Sequence, residues 1–431
     1  TLNTEALATG ARDTMLKAAQ GQLKVMKVTK KERKRRPTAP FITSTLQQEA
    51  ARKLGFTAKR TMMVAQQLYE GIDIGGEETA GLITYMRTDS TTLAAEALTE
   101  IRECIVEKFG ADNLPKEPRV YKTKSKNAQE AHEAIRPTSA SLHPDSIKQH
   151  LTNEQYKLYN LVWQRTVASQ MIDATLNTVA VDLGVDNHLF RANGSTVVDP
   201  GFMAVYQEDT DDKPKEQDEK MLPPMEEGDF IELKEIAADQ HFTEPPPRFN
   251  EASLVKKLEE FGIGRPSTYA SIISTLQQRD YVELNNKRFT PTDVGRVVNQ
   301  FLTDHFTQYI DYEFTAQLED QLDEISRGEK DWVNTLDHFW KPFAKLVKTK
   351  SEGLTRDDVA QSRQMGTDPE TGKPVCVRIG RHGPYIQVGT AEDKDKPKFI
   401  GLLPGQSMHT ITQEEVMQML TLPRKLGMIN G

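Results

Sequence analysis

The stretch Gly81-Leu-Ile-Thr-Tyr85-Met-Arg87-Thr-Asp89-Ser90 places a tyrosine two residues before an arginine, in a run that reads as a β-strand. On an extended strand, side chains two residues apart leave the same face, so Tyr85 and Arg87 can contact one group of substrate atoms. A nearby guanidinium makes a phenolate easier to form and can hold a phosphodiester through two hydrogen bonds. The pair favours phosphate chemistry with Tyr85 as nucleophile. A tyrosine packed in a strand beside a surface arginine is the competing interpretation.

A helix is predicted directly after this strand. Thr88-Asp89-Ser90 has the composition of a helix N-cap, and the apolar residues that follow have helical spacing: Leu93, Ala97, Ile101 and Ile105. Tyr85 is therefore expected just before a strand-to-helix turn.

The composition is that of a globular chain with two to four domains: 431 residues, 37% hydrophobic and 27% charged. No apolar run approaches the length of a membrane span, and the N-terminus has no signal-peptide pattern, so we expect a cytoplasmic protein without a membrane partner. Cys104 and Cys376 are the only cysteines. Two thiols far apart in sequence exclude both a disulfide framework and a four-thiolate zinc site within the chain.

Charge is unevenly distributed along the chain. The net charge of −8 argues against a protein that coats nucleic acid through bulk electrostatics. Residues 30–36 (Lys-Lys-Glu-Arg-Lys-Arg-Arg) are nevertheless strongly basic, and we interpret them either as a solvated connector or as a phosphate-facing hinge. Residues 207–227 are rich in Asp and Glu, which indicates a solvated loop between strands.

The first part of the chain is predicted to contain a helix-turn-helix unit with a hairpin, a winged-helix arrangement. Weak helical spacing covers residues 5–20, and a strand is predicted over residues 22–30. Pro37 and Pro40 then mark a boundary. A helix from Thr43 to Gly55, a helix over residues 58–70 and a glycine-rich turn over residues 71–81 lead to the Tyr85 strand.

A second unit of the same kind is predicted from residue 250. Two helices are followed by a hairpin over residues 281–289 that turns at Asn285-Asn286, and Thr290-Pro-Thr-Asp293 caps a further helix. Between the two units, residues 176–185, 187–198 and 229–236 alternate as strands of an antiparallel sheet.

Several motifs together resemble the bacterial type IA DNA topoisomerases, in the order found in that family. They are the Tyr85 segment and the stretches 39–48 (APFITSTLQQ), 61–70 (TMMVAQQLYE), 131–137 (AHEAIRP), 262–273 (GIGRPSTYASII) and 314–319 (FTAQLE). The resemblance covers residues 1–345. Residues 380–389 (GRHGPYIQVG) resemble the zinc-free C-terminal repeat of bacterial topoisomerases.

The resemblance implies a mixed α+β multidomain fold, in which mainly helical, winged-helix-like domains are joined by an antiparallel β hinge region and followed by a small β-rich C-terminal module. The whole would form part of a toroid. The expected domains are a discontinuous β-rich hinge or gate domain (1–37 and 173–246), a winged-helix-like domain with the tyrosine (38–172), a second winged-helix-like DNA-binding domain (247–350) and the C-terminal module (351–431).

The activity implied by the resemblance is that of an isomerase which relaxes negatively supercoiled DNA without ATP. Tyr85 would attack a phosphorus of single-stranded DNA and form a 5′-phosphotyrosyl intermediate. The other strand would pass through the break before religation. Arg87 and His132 are the expected catalytic partners, because donors aimed at the nonbridging oxygens stabilise the charge that develops there. The expected DNA- or phosphate-binding residues are Gln66, Arg136 (one helical turn after His132), Arg265, Ser267, Thr268 and Arg279.

One departure from the family pattern concerns the metal. The family's Mg²⁺-binding Toprim domain precedes these segments, and we do not assign the acidic residues of this chain to its Asp-x-Asp motif. The chain is therefore expected to be a fragment that contains no metal site and no zinc, that needs the Toprim domain as a partner, and that cannot relax DNA alone.

Two other classes of protein compete with this interpretation. A tyrosine recombinase has its tyrosine after a His-x-x-Arg motif, whereas Tyr85 precedes His132. A non-enzymatic module that binds single-stranded DNA is the alternative. In the C-terminal module, Arg378, Arg381, His382 and Tyr385 could stack and pair with single-stranded DNA, although an ordinary small β module would use the same residue types for its fold.

Overall fold

The computed structural model describes residues 2–75, 79–122, 132–209, 222–354, 362–380, 383–390, 393 and 395–421. The chain divides into two compact units, residues 1–247 and 248–431. The finer division into four domains and the winged-helix assignment of the helical parts stay predictions.

The described residues of the first unit form six α-helices, which are α1 (Glu5–Ala19), α2 (Thr43–Glu49), α3 (Ala58–Glu70), α4 (Ala95–Phe109), α5 (Pro144–Ile147) and α6 (Asn153–Ser169). A π-helical turn, Ala50–Leu54, continues α2. Local signals explain α3 well. The Thr57 hydroxyl accepts from the Arg60 N–H at 3.1 Å, and Gly71 ends the helix at a φ of 116°. Its buried face contributes Val64, Ala65 and Leu68 to the main core of the unit.

A four-stranded antiparallel sheet lies in the same unit, in the order β3-β2-β1-β4. Its strands are β1 (Gln22–Arg35), β2 (Ala174–Val185), β3 (His188–Asp199) and β4 (Phe230–Glu232). One face packs with α1 around a second core that includes Val25, Val181 and Leu183. The basic residues 30–35 belong to β1 rather than to a connector, because they pair with β2 along their whole length. The last strand is shorter than the predicted range 229–236.

The predicted strand around Tyr85 is wrong. Residues 81–90 form no regular strand, and only Ile83 makes an isolated bridge, to Pro137. Thr84 and Arg136 pair through the 2.9 Å bond from the Thr84 N–H to the Arg136 carbonyl. Segment 132–137 is thus extended, and Arg136 does not lie one helical turn after His132.

The start of α4 also differs from the prediction, since its N-cap is Ala94 and not the triplet at residues 88–90. Ala94 has no capping side chain, and its N–H instead donates to the Glu133 carboxylate at 2.9 Å. In the triplet, the Thr88 and Ser90 hydroxyls accept from the N–H groups two residues on. The predicted apolar face of the helix is correct, because Ala97, Ile101 and Ile105 are buried.

A buried charged cluster, the Arg165 cluster, joins α6 to the chain after β3. The Arg165 guanidinium lies over the rings of Phe41 and Tyr206 and pairs with Glu208 at 2.7 Å. The Tyr206 hydroxyl donates to Glu49 on α2. Burial is the main reason why the pKa of Tyr206 is raised, so its phenol stays protonated.

The second unit begins with helices and a hairpin, which are α7 (Glu251–Glu260), α8 (Tyr269–Gln278), β5 (Val282–Asn285), β6 (Arg288–Pro291), α9 (Asp293–His305), α10 (Tyr312–Ser326) and α11 (Trp332–Gly353). The hairpin turns at Asn286-Lys287 and not at Asn285-Asn286, because Asn285 is paired with Arg288. Both turn residues have positive φ, 48° and 61°, as a type I′ turn requires. As predicted, Thr292 caps α9.

A small sheet and a helix follow in the described residues from 362 to 421, with strands β7 (Ser362–Thr367), β8 (Pro374–Gly380), β9 (Gly383–Val388) and β10 (Lys398–Gly401) and helix α12 (Gln413–Leu420). Its core includes Val375, Val377 and Ile386, joined by Val297 of α9. The candidates Arg381 and His382 lie outside the described residues. Among the helices that the structure describes, none is long and apolar enough to cross a membrane.

Candidate active site

Three rings meet at the end of α3 in the first unit. The half-buried Tyr85 ring lies 5.4 Å from the Tyr69 ring in an edge-on contact and 5.4 Å from the His132 ring at a tilt of 31°. Met86 and Thr88, the alternating neighbours of Tyr85, are buried. Tyr85 is therefore anchored between two aromatic neighbours while part of its side chain remains accessible.

Arg87 is exposed, and the described part of the chain gives its guanidinium no hydrogen bond or ion pair. A guanidinium that has no carboxylate partner keeps its N–H donors for an anion from solution. Of the predicted catalytic residues, Tyr85 and His132 are thus in ring contact, and Arg87 follows two residues later in the same segment.

The main chain beneath the site is held by one buried hydroxyl. The Thr43 side chain is completely buried. It donates to the Met86 carbonyl at 2.7 Å and accepts from the Thr88 N–H at 2.9 Å. The Thr43 N–H also donates to the Thr88 carbonyl at 2.9 Å. The start of α2 therefore fixes the backbone on both sides of Arg87, and this contact was not anticipated from the sequence.

The predicted phosphate ligand Arg136 is engaged within the protein. Its Nε donates to Glu133 at 2.8 Å and a terminal nitrogen donates to the same carboxylate at 3.0 Å, while the other terminal nitrogen donates to the Pro137 carbonyl. Burial alone would raise the pKa of Glu133, but the Arg136 hydrogen bond, the Ala94 N–H and the positive charge together lower it. The pair ties the His132 segment to the start of α4.

Gln66 and Tyr69 lie three residues apart on α3, on neighbouring positions of one helix face. The Gln66 amide donates to Glu70 at 2.5 Å. Tyr69, 40% exposed, was not among the predicted site residues. The sequence signal that could have found it is a tyrosine in the last turn of the predicted helix, two residues before Gly71, at a position where the ring is exposed and not needed for the core.

The other candidates lie in the second unit and surround α8. Arg265 pairs with Asp323 of α10 at 2.7 Å, and the Arg265 N–H donates to the Thr268 hydroxyl at 2.8 Å. Burial would lower the pKa of Arg265, but the hydrogen bond and charge of Asp323 raise it. Ser267 is exposed in the same loop. Arg279 lies at the opposite end of this ten-residue helix, so it is not part of the loop.

No group of three or more His, Cys, Asp or Glu side chains within the described residues could hold a metal ion. The described residues around Tyr85 therefore do not fit a metal ion.

Comparison with known proteins shows the family of the chain. The family model described as DNA topoisomerase matches residues 2–337, and the one described as topoisomerase C-terminal repeat matches residues 368–428. The structure is similar to that of full-length topoisomerase I from Thermotoga maritima, with a TM-score of 0.71 and 32% identity, over 92% of this chain and 62% of that one.

Sequence relatives agree with this result. The chain is 56% identical to DNA topoisomerase 1 of Xylella fastidiosa over 423 residues, which is 97% of this chain and 52% of the relative. It is 42% identical to DNA topoisomerase 1 of Rickettsia felis over 490 aligned positions, 97% of this chain and 63% of that protein. The chain thus spans about half to two thirds of the length of these curated relatives.

The fold is the mixed α+β fold of type IA topoisomerases. The chain belongs to the bacterial DNA topoisomerase family.

Proposed function

We propose that this chain carries the nucleophile of a type IA DNA topoisomerase that relaxes negatively supercoiled DNA without ATP. The observation that carries the proposal is the accessible Tyr85 phenol in contact with His132, with the unpaired guanidinium of Arg87 in the same segment. The family membership of the chain supports the same chemistry.

The proposed reaction exchanges one phosphodiester for another. The Tyr85 phenol loses its proton as its oxygen attacks a backbone phosphorus of single-stranded DNA. The bond from phosphorus to the 3′ oxygen breaks, and that oxygen takes up a proton and leaves as a 3′-hydroxyl, so that protons balance overall. The tyrosine is then linked to the 5′ phosphate. After strand passage, the hydroxyl attacks the phosphotyrosine and restores the strand. Since the number of phosphodiesters is unchanged, no nucleotide hydrolysis is required.

In this proposal, the residues around Tyr85 have different roles. Arg87 stabilises the charge on the nonbridging oxygens, where one preorganised donor contributes about 3 kcal/mol to lowering the barrier. His132 contacts the phosphate or adjusts protonation next to the phenol. Gln66, Arg136, Arg265, Ser267, Thr268 and Arg279 would contact the DNA. Because Arg136 is engaged by Glu133, its contribution would be made through the residues it positions unless that pair opens.

Mg²⁺ in this proposal is held by a Toprim domain, the second half of the catalytic site, and not by the described residues. The reaction would take place on DNA in the cytoplasm. We expect the 431-residue chain on its own to leave supercoiled plasmids unrelaxed. Plasmid relaxation by the pure chain would contradict the split between nucleophile and metal site.

The deciding experiment looks for the covalent intermediate. A 3′-labelled single-stranded oligonucleotide, Mg²⁺, this chain and a separately expressed Toprim domain are mixed and denatured, and a slowly migrating labelled band is expected. Tyr85→Phe should abolish the band, whereas Tyr69→Phe, which removes the neighbouring hydroxyl and keeps the ring, should retain it.

The full-length Xylella fastidiosa relative serves as the positive control for reassembly of the two parts. A band that persists in Tyr85→Phe would refute the assignment of the nucleophile. If the same substitution at the matching tyrosine left the full-length relative active, the non-enzymatic DNA-binding alternative would replace the proposal for this chain.

A further inference from the structure

The outer face of the long sheet is polar and positively charged. From Lys27 onward the pairing of β1 with β2 is regular, so Lys27, Thr29, Lys31, Arg33 and Arg35 all lie on one face of the strand. The two lysines and two arginines are exposed, and none forms an ion pair within the described chain. This basic stripe includes Lys31, Arg33 and Arg35 of the basic stretch at residues 30–36.

The stripe borders a groove of about 640 Å³ that crosses β1, β2 and β3. Thr178 on β2 faces Lys31 and Ser195, and Asn193 on β3 lies opposite Ala180. Hydroxyl and amide side chains, together with lysine and arginine, commonly contact the sugar–phosphate backbone. One carboxylate, Asp182, lies on the same face opposite Lys27, and Arg191 binds it through hydrogen bonds of 2.7 and 3.0 Å.

The opposite face of the same strand is different. There Val28 packs on the second core, and the exposed residues Lys30, Glu32 and Lys34 alternate in sign. The positive charge of β1 is therefore concentrated on the groove face, although the whole chain has a net charge of −8. A solvated connector would show no such asymmetry.

The spacing and the residue types of this face indicate which form of nucleic acid it would bind. Lys31, Arg33 and Arg35 follow one another about 6.6 Å apart on this face, whereas Thr29 separates Lys27 from Lys31. Each strand of a DNA duplex places a phosphate every ~3.4 Å along its axis, so these successive cations can meet every second phosphate. Binding of a single strand relies on aromatic side chains that stack with bases. The face has none among its β1, β2 and β3 residues from Lys27 to Val197.

From this face we infer a second DNA-binding surface, separate from the tyrosine site, which holds the backbone of duplex DNA without reading its sequence. It goes beyond the proposed cleavage reaction, because it needs neither Tyr85 nor a metal.

The test measures the affinity of the 431-residue chain for a fluorescent 30-base-pair duplex, without Mg²⁺, over a series of salt concentrations. The double variant K31Q/R33Q should weaken binding and make the slope of log K against log salt shallower by about 1.8, since each duplex phosphate contact contributes about 0.9. The matched control K30Q/K34Q removes the same charge from the other face of β1 and should change the slope by less than a third as much.

Asn193→Asp provides an independent variant, since it places a negative charge in the groove from β3 and leaves the basic stripe intact. It should also weaken duplex binding severalfold. Equal losses for both double variants would show bulk electrostatics and overturn the inference, as would losses confined to a single-stranded oligonucleotide. Because no cleavage is measured, a failed adduct assay with Tyr85 leaves this result unaffected.

Discussion

At the residue scale, the buried hydroxyl of Thr43 is the contact that determines where Tyr85 lies. It bridges the Met86 carbonyl and the Thr88 N–H. Thr43→Val keeps the shape of the side chain but leaves both backbone groups without this partner, which costs about 1–3 kcal/mol for a buried donor or acceptor. We expect a lower free energy of unfolding in urea and a loss of covalent adduct at least tenfold. Thr43→Ser, which retains the hydroxyl, should restore most of both.

A purely structural role for Thr43 would lower stability and leave the adduct rate of the folded protein unchanged. Measuring the adduct at a temperature where both variants are fully folded separates the two cases. Normal adduct formation by folded Thr43→Val would refute the positioning role.

At the scale of elements, the Glu133–Arg136 pair joins the His132 segment to the start of α4. The pKa of Glu133 is lowered in the folded state, so the pair stabilises the protein above the pKa of the unfolded chain and this stabilisation is lost as pH falls through the folded pKa. Glu133→Gln should reduce the free energy of unfolding by roughly 1 kcal/mol at pH 7. The difference should shrink as pH falls below the usual glutamate pKa and vanish once the pH is below the folded pKa.

Glu329→Gln is the matched control for this pH series. Glu329 is also paired with an arginine, Arg327, at 2.8 Å, but it is exposed. Exposed ion pairs contribute little to stability, so the control should show no measurable change at either pH. A difference between Glu133→Gln and the wild type that is independent of pH would exclude the charge pair as the cause.

The hairpin of the second unit allows another prediction about one element. Lys287 has a φ of 61°, a conformation in which glycine lacks the steric cost of a side chain. Lys287→Gly would give the Asn-Gly sequence that type I′ turns prefer and should raise the midpoint of urea unfolding of the second unit by the equivalent of about 0.5–1 kcal/mol. Asn285→Gly, at a paired strand position, should lower it.

At the scale of the molecule, the two units differ in how much they bury. The described helices α10 and α11 contain no buried residue, whereas α6 alone contains ten. We expect two unfolding transitions in calorimetry, with the one at lower temperature belonging to residues 248–431. The same residues expressed alone should unfold at that lower temperature. A single transition for the whole chain would show that the units unfold together.

Elements that depend on neighbouring residues were predicted better from the sequence than elements held by residues far away in the chain. Helix α3 was predicted with its observed bounds because Thr57 and Gly71 act on their immediate neighbours. The strand at Tyr85 was wrong because the local pattern of residues 81–90 is overridden by Thr43, Ala134 and Arg136, which are more than forty residues away. The roles of the individual site residues remain predictions.

The Tyr69 contact was missed for the same reason, since it depends on the return of the chain to α3, where the Leu82 N–H donates to the Leu68 carbonyl at 2.7 Å. The basic stretch was left open between two interpretations. Only the pairing of β1 with β2 shows that its charges lie on alternate faces.

The Arg165 cluster also restricts how this sequence can change over time. The Arg165 guanidinium contacts Glu208 and the rings of Phe41 and Tyr206. The Tyr206 hydroxyl in turn donates to Glu49. Removing Glu208 would leave the buried Arg165 guanidinium without its carboxylate, which is more costly than replacing the whole set with apolar residues. Single substitutions at these positions are therefore expected to be eliminated, and lineages should differ here by coordinated replacements that exchange the members as a group.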